Sequence, residues 1–280
     1  MTQSNNPLRK HFRQAAIYLK LPSAGKFYPP GSITMTANNE LPILPMTALD
    51  EITGRTPDAL FNGSAMADLI QSCVPNINNA WAAPITDFNA LLVAIRLASY
   101  GHDMVIGTTC PKCNTADEIT VDLRIALDNL KSPDYDKSIT DGDLTFYFAP
   151  MNYKQVTESS RVTFEDQKTI QLLANANIDE TEKLAKLGAA FRRITEATIV
   201  SIAQSISAIK TAQAMVTDAA HIQEFLHNCT KGTFNNIKAH AIELRTATEL
   251  PPIDVTCASC QHEYQQEFTL DMSNFFEIAS

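Results

Sequence analysis

Four of the six cysteines fall in two Cys-x-x-Cys pairs, Cys110-Pro111-Lys112-Cys113 and Cys257-Ala258-Ser259-Cys260. Two thiolates three positions apart on a tight turn can both point at one tetrahedral ion, and a second such turn completes a four-sulfur zinc shell. The flanks agree with that reading. Each pair follows a short β-prone run, Met104-Val105-Ile106 or Ile253-Asp254-Val255-Thr256. Each precedes an alternating strand, Ile119 to Leu123 or Tyr264 through Phe268-Thr269-Leu270. Superposing Cys113 on Cys260 sets Val121 against Phe268 and Leu123 against Leu270, as two copies of one strand–knuckle–strand hairpin would.

The separation of the pairs constrains the fold further. Zinc ribbons commonly place their two knuckles ~15–20 residues apart, whereas 143 residues, 114–256, lie between Cys113 and Cys257. The intervening chain must be an excursion between the two halves of one ribbon. Closing so long a loop costs entropy that grows only logarithmically with length, and metal binding offsets it. Two other chemistries use such cysteines. A dithiol redox motif needs one pair at a helix N-terminus, and neither pair is followed by a helical pattern. Disulfides are disfavoured because residues Met1 to Pro7 are polar, with no apolar core for a secretory signal, and because Cys73 and Cys229 are left over. Structural zinc held by Cys110, Cys113, Cys257 and Cys260 is the expectation. Four sulfur ligands leave no place for a water, which argues against catalytic zinc. His102 and His262, near the knuckles, read as surface residues.

Composition bears on what surrounds the ribbon. The 280 residues carry 22 Lys plus Arg against 31 Asp plus Glu, a net charge of −9, which argues against a dedicated nucleic-acid binder. No apolar run approaches the ~18 residues of a membrane span. Residues 151–250 hold 11 basic and 11 acidic residues, so the acidity lies wholly outside them. That block also lacks proline and contains only Gly188 and Gly232, as a helical segment would. The sequence therefore predicts an α+β chain: a small mixed domain with a split four-cysteine zinc ribbon and a large helical insertion. Its expected divisions are an N-terminal helical arm at 1–20, the mixed domain at 21–150 plus 251–280, and the insertion at 151–250.

Along the chain, Asn6 to Leu19 reads as an amphipathic helix whose Arg9, Lys10 and Arg13 form a solvated basic face. Leu41 to Pro45 reads as an edge strand, and Thr47 as an N-cap with Asp50 and Glu51 in or near the first turn. A helix is expected within Pro57–Cys73, broken near Gly63 and stopped by Pro75. Another, Phe88–Tyr100, should be capped by Thr86 and ended by Gly101, with Arg96 solvated. Leu144 to Phe148 alternates as a strand. In the insertion, Leu184, Leu187, Phe191 and Ile194 step by 3, 4 and 3, and Ile199, Ile202, Ile206 and Ile209 repeat those steps after a one-residue shift. This suits a helix packed in a bundle better than a long zipper. Leu187, Phe191, Ile194, Ile202, Ile206 and Ile209 are the candidate partner-binding face. Further helical pieces are expected near Leu226 and over Phe234–Leu244. His221, His227 and His240 show no ligand spacing.

No catalytic constellation stands out: there is no Gly-x-Ser-x-Gly elbow, His-Glu-x-x-His, dinucleotide fingerprint or phosphate loop. The order of motifs carries more information. Leu21-Pro22-Ser23-Ala24-Gly25-Lys26-Phe27-Tyr28-Pro29 is followed by Leu44-Pro45-Met46-Thr47-Ala48 and Leu69-Ile70-Gln71-Ser72-Cys73. Asp87 to Arg96 with Ser99-Tyr100-Gly101 then leads into the first knuckle, and Ser273-Asn274-Phe275-Phe276 stands near the end. This series resembles the T-even-type baseplate hub protein family of contractile-tailed bacteriophages, over about residues 21–125 and 251–280. The resemblance implies a non-enzymatic hub subunit or an assembly factor (a chaperone of hub assembly) that binds hub, baseplate or tape-measure proteins. It implies a place in the host cytoplasm during assembly and in the virion tail. Two other readings stand beside it: a zinc-ribbon adaptor acting on nucleic acid or a polymerase, and a dithiol oxidoreductase.

Overall fold

The computed structural model describes residues 6–56, 63–174, 179–250, 252–268 and 275. The fold is α+β, and the chain divides into two compact units. One comprises residues 1–80, 87–130 and 250–280; the other comprises 81–86 and 131–249.

In the first unit, Ile17–Lys20 (β1) pairs antiparallel with Glu40–Ile43 (β2). Leu19 on β1, and Leu41 and Ile43 on β2, turn inward, while Tyr18 is 65 % exposed. Ala48–Gly54 (α1) starts at a capping box: the Thr47 hydroxyl accepts from the Asp50 N–H and the Asp50 carboxylate accepts from the Thr47 N–H. Ser64–Cys73 (α2) buries Met66, Leu69, Ile70 and Cys73. Residues 57–62, the first part of the helix expected there, lie outside the described residues. Ile85–Tyr100 (α3) supplies the core face Phe88, Leu91, Leu92 and Ile95. Gly101 follows it at φ +92°, and its N–H closes the last turn on Leu97 O at 3.1 Å, so the left-handed stop falls where the sequence places it. Asp103–Thr109 (β3) and Ala116–Asp122 (β4) form a hairpin, and Leu123–Asn129 (α4) follows, capped by Asp122.

Three expectations fail in this unit. The arm is not a helix. Only Pro7–His11 makes a 3-10 turn, with Leu8 and Phe12 exposed, and the chain then becomes β1. The apolar spacing mimics a helix, but pairing with β2 twenty residues later decides the conformation, and periodicity does not register that pairing. Thr86 is not the cap of α3. The helix begins one residue before it, and its hydroxyl is buried without a hydrogen-bond partner. Arg96 is not solvated. It is 1 % exposed, lies over the Tyr100 ring at 5.1 Å and donates from Nη1 to the Phe275 carbonyl.

The second unit is built on a four-stranded antiparallel sheet of Ile139–Asp141 (β5), Leu144–Phe148 (β6), Ile206–Lys210 (β7) and Met215–Val216 (β8), in that order. Tyr153–Ala174 (α5) and Glu180–Ser205 (α6) pack together, and Asp179 caps α6 by accepting from the Thr181 and Glu182 N–H groups. Ala219–Asn228 (α7) and Lys231–Thr246 (α8) complete the unit, capped by Asp218 and Thr230. The core joins Phe146 and Phe148 to Ile202, Ile206, Ile209, Ile222, Leu226, Ile237 and Leu244.

The helix expected through Ile209 therefore ends at Ser205, and Ile206 and Ile209 lie on a strand. A bulge explains the resemblance to helical spacing. Phe146 pairs with Ile209, Tyr147 with Ala208 and Phe148 with Ile206, so Ser207 is the extra residue. That extra residue puts positions three apart on one face, as a helix would.

The chain returns to the first unit as Ile253–Thr256 (β9) and Glu263–Gln266 (β10), an antiparallel hairpin. Phe268 beyond it is buried, whereas Thr269 and Leu270, expected to continue the strand, lie outside the described residues. No helix among the described residues is long and apolar enough to cross a membrane.

Candidate metal centre

Each cysteine pair sits at the tip of its hairpin, on a turn built from the same backbone bonds. In the first, the Cys110 N–H donates to Thr115 O at 3.0 Å and the Asn114 N–H donates to Cys110 O at 2.9 Å. In the second, the Cys257 N–H donates to His262 O at 2.9 Å and the Gln261 N–H donates to Cys257 O at 2.9 Å. Asn114 and Gln261 both adopt the left-handed conformation, at φ +54° and +56°, which lets the chain reverse after the second cysteine. Strand register repeats too: Thr109 opposes Ala116, and Thr256 opposes Glu263. Every position of the first knuckle thus recurs 147 residues later in the second, from Cys110 and Cys257 onward.

The two tips bring four sulfur atoms together. Cys110 Sγ lies 3.7 Å from Cys260 Sγ, Cys113 Sγ lies 3.6 Å from Cys257 Sγ, and all four fall within 4.8 Å of one another. A disulfide would need about 2.05 Å. A tetrahedron of thiolates at about 2.3 Å from a central zinc has edges of about 3.8 Å, which the two short separations approach. Cys110 and Cys257 are buried, Cys260 is half-buried and Cys113 is exposed.

The thiols differ in acidity. Hydrogen bonds from Thr115, whose hydroxyl lies 3.2 Å from Cys113 Sγ, hold the Cys113 thiol down at about 6. At Cys260 the backbone around His262 favours the thiolate, but burial and the three neighbouring sulfurs outweigh it and push that thiol up to about 12. Cys113 thus gives up its proton readily, whereas Cys260 keeps its own in hydrogen bonds to the neighbouring sulfurs. A divalent cation at the centre would favour the thiolate form of the set.

Polar contacts join the hairpins beside the sulfurs, and nothing in the Cys-x-x-Cys spacing points to them. Thr108 on β3 is 5 % exposed; its hydroxyl donates to Gln266 Oε1 at 2.8 Å and lies 2.9 Å from Tyr264 Oη. The only sequence signal was the alternation that turns Thr108 inward with Met104 and Ile106. Another buried polar group holds the segment before β2. Asp87 on α3 accepts from the Ser23 N–H at 2.8 Å and from the Ser23 hydroxyl. The sequence-chosen partner face is dispersed. Ile202, Ile206 and Ile209 are core residues of the second unit and present nothing to a partner, because they pack with Phe146 and Phe148. Leu187 and Ile194 are half-buried on α6, and Phe191 is 56 % exposed.

Comparison with curated proteins and with solved structures gives no match. The family described as T4 bacteriophage base plate protein matches residues 34–277, a continuous span that takes in both knuckles and the block of helices between them. The likeness seen in the outer segments therefore extends through the excursion as well, and the chain belongs to the T4-type bacteriophage baseplate protein family.

Proposed function

We propose that this chain is a non-enzymatic subunit or assembly factor of the baseplate hub, with a structural zinc clasp joining the two ends of its first unit. Membership of the baseplate protein family carries the hub reading. The convergence of Cys110, Cys113, Cys257 and Cys260 supports zinc, since an all-thiolate tetrahedral set suits zinc and leaves no open coordination position for catalysis. In this reading the partners are other tail proteins: hub, baseplate or tape-measure subunits. Phe191, with Leu187 and Ile194 beside it, is the part of the apolar stripe left to meet them. The mixed domain and the excursion act as separate domains, the first clasped by metal and the second presenting α6.

The experiment is quantitative mass spectrometry of this chain in purified particles and in lysate of infected cells, with zinc measured on the isolated protein. Stoichiometric presence in particles identifies a hub subunit. Abundance in lysate without incorporation, with tail proteins co-purifying, identifies an assembly factor. Co-purification with no tail protein overturns the hub reading.

A further inference from the structure

The two hairpins repeat one another closely enough to raise a question of pairing. Both tips offer two thiolates on the same turn, so two first hairpins from different copies could complete a four-sulfur shell, as could two second hairpins. The cysteines do not distinguish these arrangements from the pairing within one chain. The residues beside them do. Thr108 holds both Tyr264 Oη and Gln266 Oε1, and all three lie behind the knuckles, where the hairpins meet.

The repeat of 147 residues shows what each wrong pairing would bring together. The second hairpin's counterpart of Thr108 is Val255, which is 7 % exposed and has no hydroxyl. Two second hairpins would set Val255 against Tyr264 and Gln266, leaving their polar ends without the donor and acceptor that Thr108 supplies. The first hairpin's counterparts of Tyr264 and Gln266 are Asp117 and Ile119. Two first hairpins would set Thr108 against a carboxylate too short to span the reach of a tyrosine ring, and against an apolar side chain. Thr108 is buried, so losing both partners costs its hydroxyl more than the bonds contribute when made, and half-buried Tyr264 and Gln266 lose the bonds themselves.

We propose that Thr108, Tyr264 and Gln266 form a pairing key that makes unlike hairpins close the metal clasp and disfavours like-with-like clasps between copies. Specificity of this kind comes from penalising the alternatives, since the metal ligands are the same in each. The proposal rests on the zinc reading of the four cysteines. Thr108 acts as a positioning residue: it touches the opposite hairpin and not the metal.

The test compares the full-length wild-type protein with Thr108→Val, which keeps the side-chain shape and removes both bonds. Each protein is stripped by chelator, reloaded with one equivalent of zinc, and examined by light scattering and native mass spectrometry over a range of protein concentration. Loss of two hydrogen bonds should lower the concentration at which zinc doubles the mass by roughly 5- to 150-fold. Zinc per chain should stay unchanged, and the doubling should reverse on chelation. Tyr264→Phe, which removes one of the two bonds, should show a smaller shift in the same direction. A role confined to stability would lower the melting temperature without any zinc-dependent change of mass. If the variant binds one zinc and keeps the wild-type mass at every concentration, the pairing key is wrong while the zinc clasp stands. If wild type binds no zinc, both readings fall.

Discussion

The two units are held together by different means. In the first, short two-stranded ladders, which are marginal alone, are joined by bonds between residues far apart in sequence. Ser23 meets Asp87 64 positions away, Arg96 meets Phe275 179 away, and Cys110 meets Cys260 150 away. Arg13 is a further tie, donating to Pro45 O at 2.8 Å, Asp50 at 2.9 Å and Ser72 O at 2.8 Å. The second unit has one four-stranded sheet and a continuous apolar cluster. Its Asp166–Arg193 ion pair, at 2.8 Å with the carboxylate buried, joins α5 to α6 outside that cluster. Stability built from ionisable and sulfur groups answers to metal and pH, whereas stability built from apolar packing answers mainly to the loss of volume.

The largest effect expected from this contrast is Cys257→Ser. Structural zinc sites carry roughly 10–16 kcal/mol of apparent binding free energy, so the variant should release its metal. Amide exchange in β3, β4, β9 and β10 should accelerate while β6 and β7 stay protected. Full metal retention with unchanged melting would sink the clasp. Next in size is Phe146→Ala, a fully buried ring in the second core. It should cost about 3–5 kcal/mol, accelerate exchange in β6 and β7, and leave zinc content untouched. A loss of zinc in this variant would show that the two units do not answer separately.

The smallest effect is a pH dependence at Asp87. Burial, opposed by hydrogen bonds from the Ser23 hydroxyl and N–H, raises its pKa from 3.8 to about 6. The folded state therefore binds this proton more tightly than the unfolded state does. Its contribution to stability is full below the unfolded value and is lost as pH rises through about 6. Asp87→Asn has no proton to lose, so its stability relative to wild type should rise by about 1–3 kcal/mol between pH 5 and 7.5. Parallel melting curves for the two proteins across that range would show that Asp87 is charged throughout.

How much was legible in the sequence follows the same division. Both knuckles, the capping box at Thr47, the core face of α3 and the inward alternation of β6 are local patterns, and the structure shows them where the sequence places them. The failures come from pairing over distance. The arm becomes β1 because residues 40–43 accept it, and the isoleucine stripe crosses from helix to strand because Ser207 bulges opposite β6. Arg96 reads as solvated from its sequence because its helix neighbours say nothing of a carbonyl 179 positions later. Of the sulfur cluster, the convergence of the four cysteines was legible from spacing. The Thr108 contacts were not, since a lone threonine on a strand carries no signature of what lies opposite.

The split of the ribbon also orders events during synthesis. A chain elongating at about 5–20 residues per second presents its second knuckle roughly 7–30 s after the first. Until Cys260 leaves the ribosome the first pair lacks the two sulfurs that meet it, while residues 131–249 emerge complete and free to collapse around Phe146. The segment translated between the two knuckles can thus fold before the unit that flanks it on both sides is closed.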